Sequence, residues 1–178
     1  MATVGVRPVP ASWLAALRPS GRLVTTIGST SLIVTAEKQQ DGSAVGRVEW
    51  DRAGFMRTRH GADYPPGPRE NFAEAREQDG EDVTTGPDPV FDVEQAWNLA
   101  SILDIMVPGV LCGYAEDAGL RTAWLENPDG SWARATTVGS DPPRVHQWGS
   151  RRLWDTLDEI RAYWLQYGEL PVRGAHVP

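Results

Sequence analysis

Apolar and polar positions alternate over two stretches of the chain and lose their pattern in between. Ala2-Thr3-Val4-Gly5-Val6 is a short apolar run and predicts a strand. Pro8 and Pro10 follow it, and Pro10 suits the first turn of a helix, where its missing N–H is not needed. Trp13, Leu14 and Leu17 then share one helical face over 11–18, and Pro19-Ser20-Gly21 stops the helix. Runs 22–27, 31–36 and 44–50 are β-rich, with Gly28-Ser29 and Asp41-Gly42 as the turns between them.

Residues 61–90 break the pattern. They carry Pro65-Pro66-Gly67-Pro68 and Gly86-Pro87-Asp88-Pro89 around an acidic stretch from Glu74 to Asp82. Low apolarity with high charge offsets little ordering entropy, so this segment reads as a linker or long surface loop. Pattern returns at Asp92, where Asp92 and Gln95 are spaced as a capping box. Val93, Ala96, Trp97, Ala100 and Leu103 make a helical stripe that Pro108 ends. Residues 109–115 are strand-like. Runs 120–126 and 131–137 flank Asn127-Pro128-Asp129-Gly130, a turn sequence that predicts a hairpin. A further strand is predicted at 145–148. Leu153, Leu157, Ile160 and Trp164 then predict an amphipathic helix beginning near Ser150. Arg151 and Arg152 sit in its first turn, the unfavourable end for cations unless carboxylates hold them there.

Charge sharpens the division. The chain of 178 residues has a net charge of −7, and residues 63–94 alone hold ten acids against Arg69 and Arg76, a net −8. The remainder is close to neutral, with no basic patch interleaved with aromatics, which argues against nucleic-acid binding. The lone Cys112 excludes an internal disulfide or a cysteine metal framework, and reads as a small buried hydrophobe. His60, His146 and His176 are too scattered to suggest a metal site. Ser29, Thr30 and Ser31 have no His–Asp pattern near them that would support hydrolysis. No apolar run is long enough to span a membrane, and the N-terminus lacks the basic and apolar regions of a signal peptide, so a cytoplasmic location is expected.

The stretch 3–56 carries a resemblance. In order it holds Val4-Gly5-Val6, Arg7-Pro8-Val9-Pro10, the Trp13–Leu17 helix and Arg18-Pro19-Ser20-Gly21-Arg22-Leu23-Val24. A hairpin through Asp41-Gly42 and the closing Ala53-Gly54-Phe55-Met56 follow. This resembles the later part of the protein-L-isoaspartate O-methyltransferase family, with Pro-Ser-Gly in place of the usual Pro-Gly-Gly. Residues 92–170, with Gly130-Ser131-Trp132-Ala133 and Val145 to Asp155, resemble the C-terminal extension of variants that modify ribosomally made peptides. The resemblance implies an α/β fold: a remnant of the C-terminal half of a Rossmann-like methyltransferase sheet, followed by a small α+β region. It divides the chain into 1–60, a linker at 61–91, and an extension at 92–178.

What the resemblance implies about function follows from the same residues. The intact parent would use S-adenosylmethionine to methylate an Asp or isoAsp carboxylate in a protein or peptide. Gly5, Val6, Arg7 and Pro8 would form a substrate-facing lip at the end of the first strand, although Arg7 also reads simply as an exposed side chain beside a turn. No Gly-x-Gly loop joins a strand to a helix, so no cofactor-binding residue and no metal ligand is assigned, and the chain is expected to be inactive alone. The start at Met1, just before a buried-type strand, suggests a truncated chain: either a gene-call or frameshift fragment, or one whose N-terminal partner is another polypeptide. Two alternatives stay open. The Trp-rich region 92–170 is a peptide- or partner-binding module, with Trp124, Trp132 and Trp148 lining a groove or packing a core; or the chain is a non-functional remnant.

Overall fold

A computed structural model describes residues 4–56 and 72–177. These form two compact units: residues 4–56 with 170–177, and residues 72–169. Each unit is built on one five-stranded sheet, so the protein is of α/β type with two mostly antiparallel sheets and few helices.

The first unit begins with β1 (Gly5–Val6) and α1 (Ala11–Ala16), then β2 (Arg22–Ile27), β3 (Leu32–Lys38) and β4 (Ala44–Arg52). Its order is β1-β2-β3-β4-β10, where β10 is the C-terminal His176–Val177. Only β1 and β2 run parallel, joined by a strand–helix–strand connection; the hairpins make β2–β3 and β3–β4 antiparallel, and β10 returns antiparallel to β4. Alternation selects the core face: Leu32, Val34 and Val48 are buried, with Ile27, Val172 and Val177 packed against them. The helix is short and fully buries no side chain. Its last carbonyls are held instead by the chain's single lysine, because Lys38 Nζ donates to Leu17 O at 2.8 Å and Ala15 O at 3.4 Å.

The second unit comprises α2 (Ala73–Glu77), β5 (Asp82–Thr85), α3 (Trp97–Met106), β6 (Leu111–Asp117), β7 (Leu120–Glu126), β8 (Trp132–Val138), β9 (Arg144–Trp148) and α4 (Leu153–Tyr167). The sheet order is β5-β9-β8-β7-β6, antiparallel throughout. The β7–β8 turn closes as its sequence dictates. Asn127 N–H donates to Ser131 O at 2.9 Å, and Gly130 takes φ +87°, which a side chain would disfavour. Ala123, Leu125, Ala133, Ala135 and Val145 are fully buried, and α4 contributes Leu153, Leu157 and Ile160.

Three features differ from the sequence expectations. Of the linker expected at 61–91, residues 61–71 lie outside the described residues, together with His60. Residues 72–91 instead hold α2 and β5, β5 pairs with β9, and Val90 is wholly buried. A few well-placed apolar side chains anchor a segment whose average composition is that of a solvated loop. The capping box expected at Asp92 and Gln95 is replaced by an Asx turn: Asp92 Oδ1 accepts the Glu94 N–H at 3.0 Å, and α3 begins only at Trp97. Its buried face is Leu99 with Leu103, while Trp97 is 42% exposed. Finally, residues 170–177 do not belong to the unit that precedes them. Val48 N–H donates to Ala175 O at 2.9 Å, Gly174 N–H donates to Val48 O at 2.9 Å, and β10 extends the first sheet.

Candidate functional site

The lip named from the sequence lies at the carboxyl end of β1. Gly5 and Val6 pair with Thr26 and Ile27 of β2. On the opposite edge of β1, the Gly5 N–H donates to Met56 O at 2.9 Å, and beyond the strand the Gly28 N–H donates to Val6 O at 3.0 Å. The closing segment and the β2–β3 turn therefore meet at the lip. Close approach requires glycine here, because a Cβ on Gly5 would collide with Gly28 O. Gly28 takes φ +46°, with the Arg7 side chain lying along it.

Of the four lip residues named from sequence, Gly5 and Val6 are buried in the strand, and Arg7 and Pro8 are exposed across a cis peptide. Register adds a residue that sequence reasoning missed. Arg52 lies opposite Leu32 at the end of β4, next to Ala53, whose N–H donates to Ser31 O at 3.2 Å. It shares that end of the sheet with Arg7, and both are exposed. Nearby, Arg173 Nη1 donates to Glu49 O at 3.1 Å, and burial, then the charge of Arg52, lower its pKa from the usual guanidinium value. Thr26 Oγ1, buried below Gly5, has no hydrogen-bond partner among the described residues. The Thr30 hydroxyl, by contrast, is used locally: it donates to Ile27 O and accepts the Leu32 N–H.

The described residues do not fit S-adenosylmethionine. The β1–α1 connection, Arg7-Pro8-Val9-Pro10, contains two prolines and no glycine, so it offers few N–H donors. Gly28-Ser29 joins two strands and opens no helix. Among the described residues, no three His, Cys, Asp or Glu side chains gather as metal ligands.

In the second unit, register places Trp124, Trp132 and Trp148 on one face of the sheet: Trp132 pairs with both Glu126 and Trp148, and Trp124 lies two positions before Glu126. Trp132 is buried, Trp124 half-buried and Trp148 exposed. Arg134 and His146 are paired beside Trp124 on that face. Burial, with the charges of Arg134 and Arg144, lowers the His146 pKa; the ion-pair contact from Asp79 at 3.4 Å opposes this weakly, because Asp79 is largely exposed. His146 Nδ1 instead meets the Gly80 N–H at 3.4 Å, as a neutral ring can. Arg151 and Arg152 are held by carboxylates: Asp129 at 2.7 Å for Arg151, and Glu81 at 3.0 Å with Asp82 at 3.7 Å for Arg152.

No family model, curated protein or solved structure matches the chain. The described residues thus define an α/β protein with two mostly antiparallel sheets and few helices. Among the described residues, no helix is long and apolar enough to cross a membrane.

Proposed function

We propose that the chain is the C-terminal portion of an S-adenosylmethionine-dependent carboxyl O-methyltransferase that acts on Asp or isoAsp in a protein or peptide. It supplies the substrate-facing lip, is inactive alone, and depends on a cofactor-binding half. The observation that carries this reading is the hydrogen bond from Gly5 N–H to Met56 O, which returns the closing Phe55-Met56 segment to the strand that bears the lip. The segments that carry the family resemblance thereby form one sheet end, where Arg7 and Arg52 provide positive charge for a carboxylate. A carboxylate is already a nucleophile, so methyl transfer needs positioning more than a general base. The chain's contribution is to bind and orient that carboxylate.

The test is calorimetric titration of the purified chain with an isoaspartyl peptide and, separately, with S-adenosylmethionine. Saturable peptide binding that is lost in Arg7→Gln, with no cofactor binding, is expected. Absence of peptide binding overturns the reading. Micromolar binding of S-adenosylmethionine overturns the division of labour between two halves.

A further inference from the structure

The second unit holds a short helix as a receptor holds a ligand. α2 has five residues, far below the length at which a helix is stable by itself. Among the described residues no side chain caps its N-terminus, and its N-cap residue Phe72 takes φ 67°, a left-handed conformation that a bulky side chain adopts only under external constraint. What holds α2 in place comes from the tryptophan face of the sheet. The Phe72 ring sits in the notch left by Gly113, where a Cβ would approach ring carbon Cε2 to 2.9 Å. The Glu126 carboxylate accepts the Phe72 N–H at 2.9 Å. Arg134 Nη1 donates to both Ala75 O and Arg76 O at 2.8 Å. The Arg76 guanidinium lies 4.8 Å above the centre of the Trp124 ring.

These contacts read main chain, one aromatic ring and one cation four residues later. They ask nothing of Glu74 or Glu77, which are exposed. A separate observation shows that the face is under-used. Trp132 packs with Phe72 and Ala75, is 1% exposed, and its indole N–H has no acceptor among the described residues; the Trp124 N–H is likewise buried and unpartnered. Two buried donors without acceptors leave a ligand with better-placed carbonyl or carboxylate oxygens something further to gain.

We infer that the face formed by Gly113, Trp124, Glu126, Trp132 and Arg134 is a peptide-docking site. Residues 72–77 occupy it in cis as a displaceable strap, and it takes in trans a peptide bearing an aromatic residue followed four positions later by arginine. The inference is independent of the carboxyl-methylation reading, which concerns the first unit. Cis occupancy reduces the affinity of any incoming peptide to its intrinsic value multiplied by the fraction of chains in which the strap is displaced.

The probe is a synthetic peptide of residues 72–78, Phe-Ala-Glu-Ala-Arg-Glu-Gln, titrated by tryptophan fluorescence into the full chain and into a Phe72→Ala, Arg76→Ala variant. The variant is expected to bind at least about tenfold more tightly than the unaltered chain. Adding Arg134→Ala, or replacing the peptide's Phe and Arg with Ala, is expected to abolish binding. A variant that keeps its circular dichroism and cooperative melt but binds nothing overturns the proposal. So does a variant that no longer folds, since α2 would then be integral core. Hydrogen exchange on the unaltered chain gives an independent reading: amides 72–78 should exchange at least roughly a hundredfold faster than those of β7 and β8, and equal protection overturns the strap.

Discussion

Gln147 of β9 donates from Nε2 to Asp155 Oδ1 at 2.8 Å, and its Oε1 accepts the Trp154 N–H at 2.8 Å. The helix to which Trp154 and Asp155 belong has Arg152 at its N-cap, and Arg152 provides no side-chain cap. A wholly buried glutamine from a neighbouring strand therefore satisfies one of the helix's orphan N–H groups and orients an acid in its first turn. Gln147→Ala leaves the buried Trp154 N–H unpaired and opens a void. A loss of about 2–3 kcal/mol is expected in urea denaturation followed by tryptophan fluorescence. Gln147→Glu keeps an acceptor but sets a second carboxylate against Asp155, and should cost a comparable amount near neutral pH.

Asp158 on the same helix is half-buried, and its Oδ1 has no partner among the described residues. Burial pushes its pKa from 3.8 up to about 6; Asp88 and Asp155 add to this, and Arg161 opposes it. The folded state thus binds a proton that the unfolded state has released. The stabilisation from that proton is complete below the unfolded value and is lost as pH rises through about 6. Asp158→Asn should raise stability at pH 7.5 by roughly 1–2 kcal/mol, after allowance for partial exposure and the lost attraction to Arg161, and should flatten the pH dependence between the two pKa values. Urea midpoints measured across that range check both; a variant no more stable than the parent at pH 7.5 would refute the prediction.

Cys112 lies in β6, an edge strand, and is half-buried. Burial, then the charges of Glu94, Asp104 and Asp92, push its pKa up to about 12. The nucleophilic thiolate is then scarce at ordinary pH. A chromogenic aromatic disulfide reagent at pH 8 should react at least about a hundredfold more slowly with the native chain than with the chain in urea. Fast native labelling would show that the strand edge opens or that the thiol is activated.

The elements legible in the sequence are those whose causes are local. Asn127-Pro128-Asp129-Gly130 specifies its turn within four residues, and Leu153, Leu157 and Ile160 specify the buried face of α4 within two turns. The regions that were misread depend on distant partners. Residues 72–91 look like solvated chain until Glu126 and Arg134, more than fifty positions away, engage Phe72 and the end of α2. The return of 170–177 rests on a two-residue strand and on Val172 and Val177 fitting a core built by β3 and β4, which no periodicity reveals. At the lip, Gly5 to Pro8 were named through resemblance alone. Arg52 was not, because only the register of Leu32 against Arg52 carries it to that end of the sheet.

The lip itself can be tested through its glycine. A methyl group on Gly5 meets Gly28 O and comes within 3.3 Å of Thr26 Oγ1, so β1 must move away from β2 or from the turn. Gly54, in the closing segment, has nothing within 4 Å of the position of a Cβ among the described residues. Gly5→Ala should therefore cost about 1–3 kcal/mol, as overpacking does, while Gly54→Ala stays near neutral. Hydrogen exchange should localise the Gly5→Ala effect to the amides of Gly5 and Gly28, whose bonds to Met56 O and Val6 O hold the lip together. Isoaspartyl-peptide binding should weaken in step with that exchange, because Arg7 would no longer lie along Gly28. Weakened exchange protection with unchanged peptide affinity would place the carboxylate site away from β1.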